Sequence, residues 1–239
     1  MPAYTLAPTD TVIAPDGTIL YRIQYADGTR GGYLQSTANL DPTSDAQVLG
    51  DAQVSGNAWV SGNARVSGDA RVSGNAQVSG NAWVSGNARV SGNAWVSGNA
   101  WVSGDAWVYG GARVLGDARV LGDARVSGNA QVSGNAQVSG NAQVSGDAWV
   151  YGDAWVYGDA RVSKPQHCLT VGPLGSRAAT LTVCRDSTLS LSYATGCFFG
   201  SREAFLAAVE ATHGDSPIGN VYAAAVMLAD HVVPPYTQE

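Results

Sequence analysis

Charge is scarce in this chain of 239 residues: 13% of positions are charged, with 13 basic against 19 acidic side chains and a net charge of −6. A global basic footprint for nucleic acid is therefore missing. No apolar run is long enough to cross a bilayer, so no transmembrane helix is expected. The opening Met1-Pro2-Ala3-Tyr4-Thr5 has no basic segment and no apolar core, and a secretory signal is not expected. Cysteine is also sparse. Three cysteines cannot all pair within one chain, which argues for free thiols, a reducing compartment and a cytoplasmic location. Apolar residues, in contrast, make up 45% of the chain, too many for disorder despite 30 glycines. The length fits one or two domains.

What is present in abundance is repetition. From Asp45 to Ser163 the chain reads as one six-residue unit, Asn/Asp-Ala-x-Val-Ser-Gly, in 20 copies without insertion, the last copy lacking its glycine. All 20 copies have Ala in the second slot and Val in the fourth. The first slot is Asn ten times, Asp nine times and Gly once, at Gly111. The third slot holds only Gln, Trp or Arg, and all seven tryptophans of the protein lie there.

The unit explains its own geometry. Ala and Val, two apart, face one side of an extended segment and x faces the other. Val favours strands. Ser-Gly-Asx is turn chemistry, because Gly and Asn tolerate positive φ and Asx side chains bond nearby backbone. A short strand followed by a bend, repeated without pause, must coil, and each strand pairs with its equivalent one coil later. A helix is excluded, since period six is not 3.6 and a glycine per unit would cost about 1 kcal/mol each.

Read from valine, the unit Val-Ser-Gly-Asn-Ala-x resembles the hexapeptide repeat of left-handed parallel β-helix proteins, with glycine one place later than usual. The resemblance implies three hexads per triangular coil, hence about 32 Å of stacked coils at a strand spacing of about 4.8 Å. A flattened coil of two hexads is the structural alternative. The expected fold is mainly β: a left-handed parallel β-helix over residues 45–163, an N-terminal β cap over 1–44 and a small α+β domain over 164–239.

With three hexads per coil, residues 18 apart stack. One outer face carries Arg65, Trp83, Trp101 and Arg119, expected to form a stacking and cation–π ladder. The next carries Arg71, Arg89, Trp107 and Arg125, and the third carries Trp59 and Trp95. These ladders either stabilise the solenoid or form an interaction surface through Trp59, Trp83, Trp95, Trp101, Trp107, Arg65 and Arg119. Single-stranded nucleic acid is disfavoured by nine Asp against seven Arg in the repeat. The Asp corners, such as Asp51 with Asp69 and Asp105 with Asp123, read as solvated turns, and no metal or cofactor is expected.

A solenoid needs capped ends. Thr11–Ala14 and Thr18–Ile23 flank Pro15-Asp16-Gly17, a hairpin signal. Gly31-Gly32-Tyr33-Leu34, then Asn39-Leu40 before the repeats, is similar to the lead-in of bacterial hexapeptide-repeat proteins loosely described as transferases. After Lys164-Pro165, strands are expected at 168–171, 180–183 and 189–192. Ser201 then caps a helix through Thr212, with an apolar stripe at Ala204, Phe205, Ala208 and Val209. Ser216-Pro217 opens a second helix to about His231, stopped by Pro234-Pro235. Gly175-Ser176-Arg177, Gly196-Cys197-Phe198-Phe199-Gly200 and Thr212-His213-Gly214-Asp215 resemble a C-terminal module of phage and prophage proteins, which implies a viral or mobile-element setting.

Catalytic signals are weak. Hexapeptide-repeat acyltransferases generally use a histidine base, yet all three histidines, His167, His213 and His231, lie in the tail. Cys168, Cys184 and Cys197 lack the Cys-x-x-Cys spacing of a zinc site and read as core thiols. Arg177, Cys197, His213 and Asp215 are loop residues able to converge as a small-molecule site, with Arg177 offering bidentate anion recognition. The expectation is a non-enzymatic phage-type binding protein, with the solenoid as rigid scaffold and the tail for partner or ligand binding or oligomerisation. A host defence system inhibited by occlusion, or by sequestering a signalling molecule, is one version. The alternatives are an acyltransferase and a structural virion or scaffold protein. The β-helix resemblance also implies a homo-oligomer, most often a trimer.

Overall fold

The computed structural model describes residues 4–175, 177–188 and 190–233. Strands β1 (Tyr4–Ile13), β2 (Ile19–Tyr25) and β3 (Arg30–Leu34) form an antiparallel cap. Twenty two-residue strands follow, one per hexad, from β4 (Gln47–Val48) to β23 (Arg161–Val162). Each covers the x-Val pair, one residue fewer than the alternation predicts, because Ala already enters the corner.

Strands three apart pair in parallel, for example Trp83 opposite Trp101 and Val84 opposite Val102. One coil is therefore three hexads, which removes the two-hexad alternative. The three faces are sheets of ten, seven and six strands, the first including the cap strands. Interior rungs donate to the next coil and accept from the one before, as in Trp83 N–H to Ala100 O at 2.8 Å and Ser85 N–H to Val102 O at 2.9 Å. The Ala and Val columns fill a dry core and are buried throughout. Each buried valine stabilises by about 1.5 kcal/mol against the conformational entropy of the ordered chain.

The corner glycine is required twice over. Gly98 has φ of +76°, and a Cβ built on it would meet the Gly116 backbone at 2.8 Å. At Gly98 the stacked corners leave no room for a side chain, and the backbone conformation disfavours one. The Asx slot beside it adds a second ladder. Asn63 Nδ2 donates to Asn81 Oδ1, Asn81 to Asn99 and Asn99 to Asp117, at 3.0, 2.9 and 2.8 Å.

The lead-in is the first coil in disguise. Leu34 pairs beside Val54, Leu40 bridges to Val60, and Val48 pairs with Val66. Asn39 is buried, and its Nδ2 donates to Gly56 O and Ala58 O, both at 2.9 Å. Its Oδ1 accepts from Ser36 N–H. The side-chain amide thus occupies carbonyls that a preceding coil would otherwise bond.

The tail is one antiparallel sheet in sequence order, β24 (Cys168–Leu174), β25 (Ala179–Arg185), β26 (Leu191–Thr195) and β27 (Phe198–Ser201), followed by α1 (Arg202–His213) and α2 (Pro217–Val232). Ser201 and Ser216 cap the two helices through Ala204 N–H and Gly219 N–H. Three strands were expected. The fourth, β27, escapes notice because Phe198-Phe199-Gly200-Ser201 is short and ends in the helix cap. Leu189, expected to open a strand, and Pro234-Pro235, expected to stop a helix, lie outside the described residues. In α1 the apolar face is Phe205, Val209 and Leu206, while Ala204 is exposed.

The tail closes the solenoid. Trp155 N–H, with no further rung on its face, donates to Thr182 Oγ1 at 2.9 Å. Tyr157 meets Phe199 edge to face, with centroids 5.0 Å apart. Cys184 belongs to the solenoid's core cluster. The cysteine expectation is corrected here. Antiparallel register sets Cys168 opposite Cys184, and the two form a disulfide, leaving Cys197 as the free, exposed thiol. The odd count excluded only complete pairing, so the argument from free thiols to a reducing compartment falls. No helix among the described residues is long and apolar enough to cross a membrane.

Candidate functional site: a cleft in the C-terminal domain

A cleft of about 370 Å³ opens between the end of the tail sheet and its helices. Arg177 reaches it from the β24–β25 connection, Thr195 from the end of β26, Cys197 from the β26–β27 turn, and His213 from the last turn of α1. Phe198, Phe205 and Tyr222 build its aromatic wall. The wall is internally ordered. Phe205 meets Phe198 and Tyr222 edge to face at 5.3 and 5.8 Å, and His213 stacks on Tyr222 at 5.7 Å with a 23° interplanar angle. The aromatic contacts fix ring orientation, so the cleft is largely pre-formed.

Three of the four residues singled out from the sequence, Arg177, Cys197 and His213, thus line one cleft. Asp215 is exposed in the α1–α2 turn and is not among the lining residues. Sequence reasoning missed Thr195, Phe205 and Tyr222. Phe205 and Tyr222 carry ordinary core signals on two different helices, and only their packing reveals a shared wall. Chemically, the cleft joins a guanidinium, an imidazole and a thiol to an apolar floor. That combination can hold a small molecule with an anionic group and a flat apolar part.

The seven surface residues distribute over three separate faces. Arg65, Trp83, Trp101 and Arg119 occupy successive rungs of the seven-stranded sheet. Trp107 lies on the ten-stranded sheet, and Trp59 and Trp95 lie on the six-stranded one. Trp83 and Trp101 stack with centroids 5.6 Å apart and an interplanar angle of 14°. The expected flanking cation–π contacts are corrected. Among the described residues the cation–π pair is Arg22 over Tyr33 in the cap, at 3.8 Å. Instead the indoles are tied to the preceding coil: Trp83 Nε1–H donates to Ser67 Oγ, and Trp95, Trp101 and Trp107 do the same to Ser79, Ser85 and Ser91. The tryptophans remain 36–55% exposed. Among the described residues no group of three or more His, Cys, Asp or Glu gathers to hold a metal.

Coil geometry and repeat together define a β-solenoid repeat protein. Part of the solenoid is similar to the YdcK β-solenoid repeat, whose model matches residues 52–68, 64–80, 70–88, 82–98, 136–152 and 142–158. No match was found among curated proteins.

Proposed function

We propose that the protein is a non-enzymatic binding protein, in which the solenoid is a rigid rod and the C-terminal cleft holds a small anionic ligand. The observation carrying this reading is the gathering of Arg177, Cys197 and His213 against the Phe205–Tyr222 wall. The solenoid runs without insertion and without histidine, so the base an acyltransferase needs has no place in its coils. In the phage-type setting implied by the tail's resemblance, the cleft would sequester a signalling molecule of the host, or the rod would occlude a host protein.

The protein is also proposed to act as a homo-oligomer, a trimer by analogy with hexapeptide-repeat β-helices. Exposed Val221, Met227, Leu228 and Val232 on α2 give the tail an apolar surface for such contacts. A monomeric mass by light scattering at micromolar concentration would refute the oligomer. Loss of assembly in Leu228→Glu would support a role for the α2 surface.

The test of the binding function is native mass spectrometry of the intact protein purified from bacterial lysate, beside Arg177→Gln and His213→Ala. A small molecule released on denaturation from the parent, and lost from both variants, supports the reading. Turnover of acetyl-CoA that stops in His213→Ala would replace it with the transferase. An empty cleft combined with stable filaments would replace it with a structural role.

A further inference from the structure

A second cleft, of about 460 Å³, lies at the other end of the molecule, where the tip of the β1–β2 hairpin stands beside the outer face of the ten-stranded sheet. Pro15 and Asp16 of the tip line one side. Arg71, Arg89 and Trp107, on three successive rungs, line the other.

Two features set this place apart. Among the seven arginines of the hexads, Arg71 and Arg89 are the sole pair that occupy adjacent rungs; the hexad neighbours of every other arginine are Gln or Trp. Like charges directly opposite on a sheet are destabilising. Neither arginine makes an ion pair among the described residues, although Asp69 lies two residues before Arg71. The second feature is the hairpin itself, which turns this one stretch of an otherwise open face into a cleft. The acid in the lining, Asp16, accepts from Thr18 N–H at 3.0 Å and is held in its own turn. Two guanidiniums against one carboxylate leave the cleft cationic.

Trp107 completes the arrangement. Its Nε1–H is bonded to Ser91 Oγ and its ring tilts against Tyr109 at 4.6 Å, so the indole is oriented before any ligand arrives. A phosphate bridging two guanidiniums would relieve their repulsion through charge-assisted hydrogen bonds, and a planar ring attached to it would find the indole one rung further on.

We infer that this cleft is a binding site for a phosphorylated planar-ring compound, of which a nucleoside monophosphate is the simplest. Arg71 and Arg89 hold the phosphate and Trp107 covers the ring. The site is distinct in position and residues from the tail cleft, and does not depend on the function proposed for it.

The experiment is calorimetric titration of the intact protein with AMP, adenosine and inorganic phosphate. It is repeated on Arg71→Gln/Arg89→Gln, on Trp107→Leu, and on Arg177→Gln as a control for the tail cleft. The expected result is AMP binding that falls by at least about tenfold in the double variant and in Trp107→Leu, but survives Arg177→Gln. Adenosine should bind at least about tenfold more weakly than AMP. The double variant should melt no lower than the parent without ligand, because removing the cations removes their repulsion. AMP binding unchanged in the double variant overturns the inference. So does the absence of binding up to about 1 mM.

Discussion

Asn99 donates from its side-chain amide to Oδ1 of Asp117, eighteen residues later, at 2.8 Å, and the corner ladder stops there. Every Asx bond in the solenoid runs the same way, from the earlier coil to the later one, as in Asn57 to Asn75 and Asn141 to Asp159. The reason is chemical. An ionised carboxylate accepts but cannot donate, so Asp can end a ladder and never continue it. The choice between Asn and Asp at these corners is therefore a choice of where each ladder breaks.

Asp105 receives the bond from Asn87 and stands one coil before Asp123. Replacing Asp105 with Asn should extend that ladder to Asp123 and remove a like-charge neighbour. The expected gain is about 0.2–1 kcal/mol, read as a higher denaturation midpoint at unchanged slope. Asn81→Asp should do the reverse, since it interrupts a ladder of three bonds. Part of each difference should fade in high salt.

The corner glycines permit a comparison within one molecule. Gly98→Ala introduces both a left-handed alanine and a Cβ 2.8 Å from the next coil. Gly152 has a similar φ of +67°, but a Cβ there meets nothing within 4 Å. Gly152→Ala should cost about 1–2 kcal/mol for conformation alone. Gly98→Ala should cost at least about 1 kcal/mol more for overpacking. Equal losses in urea unfolding would contradict the close stacking of the corners.

Thr182→Val keeps the shape of β25 but removes the acceptor for Trp155 N–H. The orphaned amide at the end of the solenoid should cost about 1–3 kcal/mol. Hydrogen exchange at Trp155 should accelerate, while exchange at Trp101, deep in the stack, should not.

His167 joins solenoid to tail, with Nδ1 accepting from Ser163 N–H at 3.3 Å. Burial first, then the charges of Arg185 and Lys164, holds its pKa below the ordinary 6.5. A lowered folded pKa for an imidazole means that the neutral form is the one stabilised. Its contribution is thus fully present above pH 6.5 and lost as pH falls through the lowered folded value. A melting-temperature profile should show this decline, and His167→Gln should flatten it.

The repeat was legible because its period is short and unbroken. Ala-x-Val alternation, a glycine per unit and the Asx corner specify a coil of short strands, but three hexads per coil rather than two, and with them the i to i+18 stacking of Trp83 on Trp101, come from the strand pairing. The Ser201 and Ser216 caps were equally readable, since each is a local rule about backbone hydrogen bonds, whereas Asn39-Leu40 stood out only by resemblance to a family lead-in and its bonds reach 17 and 19 residues ahead. Of the tail cleft, Arg177, Cys197 and His213 could be named, although His213 ends α1 rather than lying in a loop, but Asp215 could not be separated from them, because a turn's direction is not written in its composition.

What the chain determined by itself is its periodicity, and with it the coil, the buried Val and Ala columns and the outward Trp, Arg and Gln. These follow from neighbours within a few residues and from identical units meeting themselves. Only the tertiary structure decided what happens where the repetition ends. It set Cys168 across from Cys184, brought Thr182 beneath Trp155, built an aromatic wall from Phe205 and Tyr222, and set the Pro15–Asp16 tip beside Arg71 and Arg89. Each of these joins segments far apart in sequence whose meeting depends on packing, and no local pattern encodes packing between unlike surfaces.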